Sequence, residues 1–196
     1  MGASKRLCEK YIQNYSLSSN TTQFLIVRFG NVLGSTGSVV PLFQEQIKQG
    51  GPITITDPKV TRYFMTIREA VELVLISSQL QTKKNGEIFI LEMGKPILIK
   101  DLAKSMINLL GQKENEIKII YTGLRRGEKL SEQLFFNEEK ITKTNVEGIM
   151  STTDKIYNVD TSDYNSLISY IQKNEAKKAV DKFKIMLPEY KVDVKD

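Results

Sequence analysis

The chain alternates short runs of consecutive apolar residues with longer segments whose apolar residues recur at helical spacing, and this alternation limits its fold more than any other feature. Residues 24–27 (FLIV) and 88–91 (IFIL) are continuous apolar runs, typical of parallel strands buried on both faces. Residues 3–15 and 67–80 carry apolar side chains at helical spacing. Helices and strands in this order predict an α/β fold.

The remaining segments continue the alternation. A doubly wound sheet usually has about six strands, whereas only two runs here have the fully buried pattern, and the sequence begins inside a helix. We therefore interpret the chain as an incomplete α/β enzyme. The other predicted elements are helices at 39–49, 99–110, 128–136, 162–173 and 175–186, a small exposed strand at 53–56 and a strand at 117–121; residues 137–160 are mostly polar, with a short apolar break at 146–150.

Composition excludes several kinds of chemistry. The chain has 0 His and 1 Cys. A Ser-His-Asp triad, a histidine or cysteine metal site and a disulfide framework are therefore excluded, and acid–base chemistry has to come from Lys, Asp, Glu or Tyr. We expect no metal. Since the sequence shows neither a signal peptide nor an apolar stretch of about 18 residues, a cytoplasmic location is the default expectation.

The net charge of +5 and the pI near 9.1 favour an anionic partner, which could be nucleic acid, a membrane surface or a phosphorylated small molecule. Toward the end of the chain, lysines are interleaved with acidic residues, a pattern typical of a solvated helix surface. We therefore expect no nucleic-acid partner. The interleaved acidic residues are Glu175, Asp181, Glu189 and Asp193.

Two short motifs suit a polar ligand. Residues 28–34 (RFGNVLG) follow a predicted strand, where ligands bind in open α/β sheets, and Asn31 offers both a donor and an acceptor. Taken alone, this Gly-Asn pair is more often simply a turn. Arg62 lies among apolar neighbours in residues 61–66 (TRYFMT), and taken alone it is more often an arginine paired with a carboxylate.

A third motif is more specific. Residues 124–129 (LRRGEK) place Arg125 and Arg126 in a glycine turn before a predicted helix, and the N-terminus of a helix is a natural site for phosphate. Glu128 could accept hydrogen bonds from sugar hydroxyls. It would also be favoured simply as a residue of the first helical turn.

The first five residues are informative as well. Residues four apart on a helix share a face, so Met1 and Lys5 would point into the same site. Residues 1–5 resemble the Tyr-x-x-x-Lys segment of extended short-chain dehydrogenase/reductases, with Met1 where most of those enzymes have tyrosine. The alternative is a start codon followed by a surface lysine.

Together these motifs resemble one family, the CapD-like polysaccharide biosynthesis proteins, which are bacterial nucleoside-diphosphate-sugar 4,6-dehydratases of the extended short-chain dehydrogenase/reductase class. The chain is similar to the C-terminal half of this family over nearly its whole length. The resembling stretches are residues 1–10, 28–49, 60–70, 86–94 and 122–132, with a weaker likeness through 149 and at 187–190.

The resemblance implies a UDP-N-acetylhexosamine 4,6-dehydratase that uses NAD or NADP to form a 4-keto-6-deoxy sugar for capsule, O-antigen or exopolysaccharide. It implies a catalytic role for Lys5, which would also bind the cofactor together with Phe29 and Gly30. The implied substrate-binding residues are Asn31, Arg62, Arg125 and Glu128.

The sequence departs from the family pattern in two ways. Arg126 replaces the usual proline of the Arg-Pro-Gly-Glu turn, and the Gly-x-x-Gly-x-x-Gly fingerprint and the upstream Asp-Lys pair are absent. We therefore expect no catalysis and no cofactor binding by this chain alone. Full-length relatives could be homo-oligomers or membrane-anchored, although this chain has no predicted membrane segment.

The expected architecture is the C-terminal part of a Rossmann-type doubly wound sheet, without its N-terminal half, plus a small α/β substrate-binding domain. We assign residues 1–35 and 86–115 to the Rossmann part, and residues 36–85 and 116–196 to sugar-nucleotide binding. The alternative is a stand-alone UDP-sugar-binding or interaction module, or a non-functional fragment, because a sheet without its neighbouring strands has open edges.

Overall fold

Helices and strands alternate along the computed structural model, which describes residues 2–80, 82, 84–136, 139–153 and 160–190. Met1, where the family resemblance places a methionine instead of tyrosine, lies outside the described residues. The helices are α1 (Gly2–Ser18), α2 (Val39–Lys48), α3 (Ile67–Gln79), α4 (Ile99–Leu109), α5 (Thr161–Gln172) and α6 (Ala176–Met186). The strands are β1 (Leu25–Arg28), β2 (Asn31–Val32), β3 (Ile53–Ile55), β4 (Thr61–Arg62), β5 (Phe64–Met65), β6 (Glu87–Leu91), β7 (Ile97–Leu98), β8 (Ile119–Tyr121), β9 (Lys140–Lys143) and β10 (Ile149–Thr153).

The largest sheet has four strands in the order β1-β6-β10-β9. Strands β1 and β6 are parallel, and β10 runs antiparallel to both β6 and β9. Three two-stranded sheets accompany it: β2 with β5 and β3 with β8 are parallel pairs, and β4 with β7 is antiparallel. The predicted α/β class with parallel strands is confirmed. No helix in the described ranges is both long enough and apolar enough to cross a bilayer.

Only one of the two apolar runs is buried on both faces. Ile88, Phe89 and Ile90 of β6 are at most 1% exposed, whereas the apolar residues Leu25, Ile26 and Val27 of β1 are only half-buried. The reason is position, since β6 lies between β1 and β10, while β1 pairs only with β6 among the described strands. The prediction of a fully buried strand is therefore confirmed for β6 and wrong for β1.

The polar segment after residue 136 contains a hairpin that the sequence analysis did not predict. Its second strand, β10, lies inside the sheet, and its Ser151 and Thr152 are buried. The hydroxyl groups of Thr142 on β9 and Ser151 are 2.8 Å apart, so two polar side chains hydrogen-bond each other across the hairpin. This pairing satisfies the buried Ser151 hydroxyl, whereas the buried Thr152 hydroxyl has no hydrogen-bond partner among the described residues.

Strand β3 is buried, so the predicted exposed strand at 53–56 is wrong in its exposure. Ile53 is 0% exposed and Ile55 is 2% exposed, because α2, α4 and β8 cover them. Gln46 on α2 fixes this packing, donating to Thr54 Oγ1 at 2.8 Å and accepting from the Thr54 N–H at 3.1 Å. Helix α4, inside the 86–115 range assigned to the Rossmann part, shares this core. The predicted domain boundaries stay a prediction.

No helix forms at residues 128–136, contrary to prediction. The segment instead binds distant parts of the chain. The Thr61 N–H donates to the Leu130 carbonyl at 2.8 Å, and Arg28 Nη1 donates to the Leu134 carbonyl at 3.2 Å. Because these long-range partners replace the local helical bonds, the arginine turn does not lead into a helix, and the predicted contribution of a helix N-terminus to phosphate binding is wrong.

Helix α1 lies antiparallel to β1. Near the end of the helix, the Tyr15 ring packs against Phe24, which precedes the strand, with centroids 5.5 Å apart. One to two turns earlier, Glu9 pairs with Arg28 at the end of the strand, at 2.6 Å. The first turn of α1, which carries Lys5, therefore lies toward the carboxyl end of β1.

A cluster of buried charges joins α1, β1 and the start of the hairpin. The guanidinium of Arg28 donates to Glu9 at 2.6 and 2.8 Å and to Glu139 at 2.7 and 2.8 Å. Arg6 donates to Glu9 at 2.9 Å, and both arginines stack on the Phe136 ring. Burial disfavours the charge on Arg28, but the hydrogen bonds to the two carboxylates outweigh burial and raise its pKa.

The C-terminal helices pack against the other side of α1. Leu7 lies in a buried apolar cluster with Tyr164, Leu167 and Met186. Beside it, Glu189 forms ion pairs with Lys10 at 2.9 Å and with Arg6 at 3.4 Å. Helix α1 is therefore held by the sheet on one side and by α5 and α6 on the other.

We expect Glu139→Gln to lower the free energy of unfolding by about 3 kcal/mol, because Arg28 then loses one of its two carboxylate partners and breaking a buried ion pair is strongly destabilising. The side chain of Glu139 is 0% exposed. Urea denaturation at neutral pH measures the change. Glu72→Gln is the control, because its ion pair with Arg68 is solvent-exposed, with side chains 49% and 87% accessible, and should have no measurable effect. Equal small effects in both variants would contradict the importance of the cluster.

Glu189 predicts a pH dependence. Burial raises its pKa, but a backbone hydrogen bond and the charges of Lys10 and Arg6 outweigh burial, so its pKa in the folded chain lies below the ordinary value. Its stabilising contribution is therefore complete above about pH 5 and is lost as pH falls below about 4. The measurement is the difference in unfolding free energy between the wild type and Glu189→Gln, which should shrink on acidification. A difference that is constant with pH would refute this assignment.

Candidate functional site

The candidate site lies at the carboxyl ends of the parallel strands β3 and β8. The Thr122 N–H donates to the Ile55 carbonyl at 2.9 Å, which extends the pairing just past both strands. Thr56 and the loop of residues 122–128 follow directly and so emerge at the same edge. Ligands bind at this edge in open α/β sheets.

Glu128 holds three segments together at this edge. One carboxylate oxygen accepts from the Thr56 hydroxyl at 2.9 Å and from Arg62 Nη2 at 3.3 Å. The other oxygen accepts from the Arg125 N–H at 3.2 Å. An ionised carboxylate can accept about four hydrogen bonds. Glu128 therefore has capacity for one more donor, such as a ligand hydroxyl.

Arg62 is mostly engaged within the protein. Its Nη1 donates to the carbonyls of Thr61 at 2.7 Å and Leu130 at 3.2 Å, and its Nη2 donates to Glu128. Its Nε lies 3.8 Å from a Glu132 oxygen. These contacts confirm the alternative interpretation of Arg62 from the sequence, that of an arginine paired with a carboxylate. One Nη2 hydrogen remains for a ligand.

Asn31 is joined to the same group through Glu132. Its Nδ2 lies 3.0 and 3.1 Å from the two Glu132 oxygens and 3.1 Å from the Tyr63 carbonyl. The Tyr63 N–H donates to Glu132 at 3.3 Å. Sequence reasoning assigned no role to Glu132, because it lay in the wrongly predicted helix, four residues after Glu128. The sequence signal that could have found Glu132 is that it is a second carboxylate within the family-like stretch 122–132.

Arg125 is the exposed cation of the site. Its side chain forms no hydrogen bond or ion pair with the described residues, and Arg126 beside it is also exposed. The loop turns at Gly123 and Gly127, whose φ angles of 85° and 76° favour glycine. Basic side chains outnumber acidic ones here, which favours an anionic ligand. The basic residues are Arg62, Arg125, Arg126 and Lys129, and the acidic ones Glu128 and Glu132.

The predicted cofactor residues lie at a different strand end. Lys5 is exposed, and Phe29, just beyond β1, is 39% exposed. Gly30 lies against the chain of residue 63, where an added Cβ would come within 2.8 Å of the Tyr63 Cβ and carbonyl oxygen. The structure thus brings together Asn31, Arg62 and Glu128, with the Arg125 backbone, whereas the Lys5 side chain makes no hydrogen bond or ion pair with any residue described.

Comparison with known proteins gives a consistent picture. The profile of the family described as "Polysaccharide biosynthesis protein" matches residues 1–154. Over 139 residues the chain is 54% identical to the capsular polysaccharide biosynthesis protein CapD of Staphylococcus aureus, a match covering 71% of this chain and 23% of that protein. It is 40% identical over 141 residues to a UDP-glucose 4-epimerase of Rickettsia canadensis (strain McKiel), covering 71% and 40% of the two proteins.

A solved structure supports the fold. The X-ray structure of Pen from Bacillus thuringiensis superposes with a TM-score of 0.68 at 36% identity, over 79% of this chain and 48% of that one. The predicted Rossmann-type α/β class is thereby confirmed. The chain spans between 23% and 48% of the length of these three proteins.

We expect Gly30→Ala to lower the unfolding free energy by about 1–3 kcal/mol, because the new methyl group overlaps the Tyr63 carbonyl oxygen and Cβ, which cannot move aside as the end of the Met93 side chain can. Thermal denaturation measures the effect. Gly2→Ala is the matched control, since nothing lies within 4 Å of a Cβ there and alanine suits a helix better than glycine. Equal melting temperatures for the two variants would show that the backbone around Gly30 and Tyr63 accommodates the methyl group without loss of stability.

Proposed function

This chain belongs to the polysaccharide biosynthesis protein family, and from that membership we propose that it supplies the sugar-nucleotide-binding residues of a UDP-N-acetylhexosamine 4,6-dehydratase. The product would be a 4-keto-6-deoxy sugar for capsule, O-antigen or exopolysaccharide. The observation that supports this most is the convergence of Asn31, Arg62 and Glu128 at the carboxyl edge of parallel strands, beside the exposed Arg125.

The charges suit a nucleoside diphosphate. Arg125 offers a whole guanidinium to the diphosphate, and Arg62 contributes charge and its remaining Nη2 hydrogen. Glu128 has one acceptor position left, which suits a ribose hydroxyl. In this arrangement Arg125 contributes more to diphosphate binding than Arg62. Most N–H donors of Arg62 already form hydrogen bonds within the protein.

The family chemistry requires NAD or NADP, and the residues of this chain fit one end of such a cofactor. Lys5 is exposed toward the carboxyl end of β1, and the Phe29-Gly30 segment follows that strand. We assign these residues to the nicotinamide ribose. A bound nicotinamide would supply hydride removal from the sugar and its return. The Lys5 ammonium would hold a ribose hydroxyl and favour the anionic form of a neighbouring base. The glycine fingerprint that binds the cofactor's diphosphate is not in this sequence.

A 4-epimerase is the second candidate, favoured by the 40% identity to the Rickettsia canadensis protein described as a UDP-glucose 4-epimerase. Both reactions begin by removing hydride from C4 of the sugar. A dehydratase then expels the C5 proton and the C6 hydroxyl as water and returns hydride to C6, whereas an epimerase returns it to C4. The products therefore differ in mass.

The decisive experiment gives UDP-N-acetylglucosamine and NAD+ to the full-length product of the gene. We expect a product one water lighter, with a ketone at C4 detected by mass spectrometry and carbon NMR. An isomer of unchanged mass would favour the epimerase. Unchanged substrate would refute the proposed dehydratase, and it would refute the epimerase if UDP-glucose is left unchanged as well.

In the 196-residue chain, we expect Arg125→Ala to weaken UDP binding about ten-fold, because a charge-assisted hydrogen bond to phosphate contributes about 1.5 kcal/mol. Isothermal titration calorimetry measures the affinity. Arg68→Ala removes the same side chain from an exposed position on α3 and should leave the affinity unchanged. An equal loss of UDP affinity in both variants would mean that only the net charge of the chain affects binding. That result would argue against a diphosphate site formed by specific residues.

A further inference from the structure

The side-chain amide of Asn31 is held in one orientation. Three oxygen atoms surround its Nδ2: both carboxylate oxygens of Glu132, at 3.0 and 3.1 Å, and the Tyr63 carbonyl, at 3.1 Å. An amide nitrogen carries two hydrogens, and both are satisfied here. The flipped amide would place its own oxygen against three acceptors. Electrostatics therefore forbids the flip while Glu132 is charged.

Glu132 is itself fixed. The Tyr63 N–H donates to one of its oxygens at 3.3 Å, and Arg62 Nε lies 3.8 Å from the other. The carboxylate thus sits between a backbone donor, an amide and a guanidinium. It links β2, which carries Asn31, to Tyr63 between β4 and β5, and it also determines which end of the Asn31 amide is free.

The free end is the carbonyl Oδ1. No described residue donates a hydrogen bond to it, and Asn31 is only half-buried. With both hydrogens of Nδ2 engaged, Asn31 can accept a hydrogen bond from a ligand but cannot donate one. A phosphate oxygen, which only accepts, is therefore a poor partner for this side chain.

We propose that Glu132 is a positioning residue that makes Asn31 an acceptor-only contact, so that this position selects an N–H or O–H donor of the sugar nucleotide. The inference rests on the proposed function, because it assumes that the site binds a sugar nucleotide. A UDP-sugar carries such donors in two places, the N3–H of uracil and the hydroxyl or acetamido groups of its sugars. Both the uracil and the sugars can donate a hydrogen bond to Asn31, and binding experiments distinguish between these two sources.

The test uses the 196-residue chain and calorimetry with UDP-N-acetylglucosamine and analogues that lack one donor at a time: N3-methyluracil, 2′- or 3′-deoxyribose, and deoxy or N-methylacetamido sugars. In the wild type, one analogue should bind about ten-fold more weakly than the parent, because Oδ1 then loses its donor. That analogue identifies the source. Equal binding of the parent and all analogues would overturn the proposal.

Glu132→Gln is the key variant. Glutamine presents one donor and one acceptor, so the Asn31 amide can invert and turn its Nδ2 toward the ligand. The ten-fold discrimination should then fall to about one. A purely structural role for Glu132 would weaken parent and analogue alike and leave their ratio unchanged, which would refute the proposal. The double variant Asn31→Asp/Glu132→Gln restores an outward acceptor and should recover the discrimination.

A measurement without ligand separates this inference from the proposed function. By NMR, the side-chain NH2 of Asn31 should exchange slowly with solvent in the wild type and at least ten-fold faster in Glu132→Ala, with the fold of each variant checked by its backbone spectrum. Fast exchange in the wild type would overturn the inference even if UDP-sugars bind. Slow exchange without any UDP-sugar binding would instead defeat the proposed function and leave the amide geometry confirmed.

Discussion

The guanidinium of Arg28 is the interaction on which the rest of the structure depends. Buried charges are tolerated only when they are paired, and here Arg28 is paired with Glu9 on α1 and Glu139 before β9. The same guanidinium also binds the Leu134 carbonyl. Asn31 follows Arg28 by three residues, and Glu132 precedes Leu134 by two. One buried cation therefore anchors both chain segments whose side chains meet across the candidate site.

Local patterns predicted the helices and the central strand well, because periodic apolar residues pack in much the same way whatever surrounds them. They failed where a distant partner decided the outcome. Residues 128–136 favour a helix locally, but Thr61 and Arg28 bind their carbonyls instead. The hairpin strand β10 was missed because Ser151 and Thr152 are polar, and their burial depends on a neighbouring strand that the sequence does not reveal.

The candidate site divides in the same way. The resemblance to the family implied Asn31, Arg62 and Glu128 as substrate-binding residues, and the structure brings them together, although their binding roles stay predictions. Glu132 was not predictable, since its role consists entirely of contacts with Asn31 and Tyr63 far away in the sequence. The roles of Lys5, Phe29 and Gly30 stay predictions. Their surroundings at the end of β1 are known, but the cofactor contacts assigned to them are not tested by this geometry.

The apolar cluster that joins Leu7 to Met186 has a consequence for synthesis of the protein. Helix α1 emerges from the ribosome long before α5 and α6, which cover its apolar face. At bacterial or eukaryotic translation rates this delay is roughly 10 to 40 seconds. During that interval the apolar face around Leu7 stays uncovered and open to nascent-chain chaperones, and this part of the molecule can complete its packing only after α6 has been synthesised.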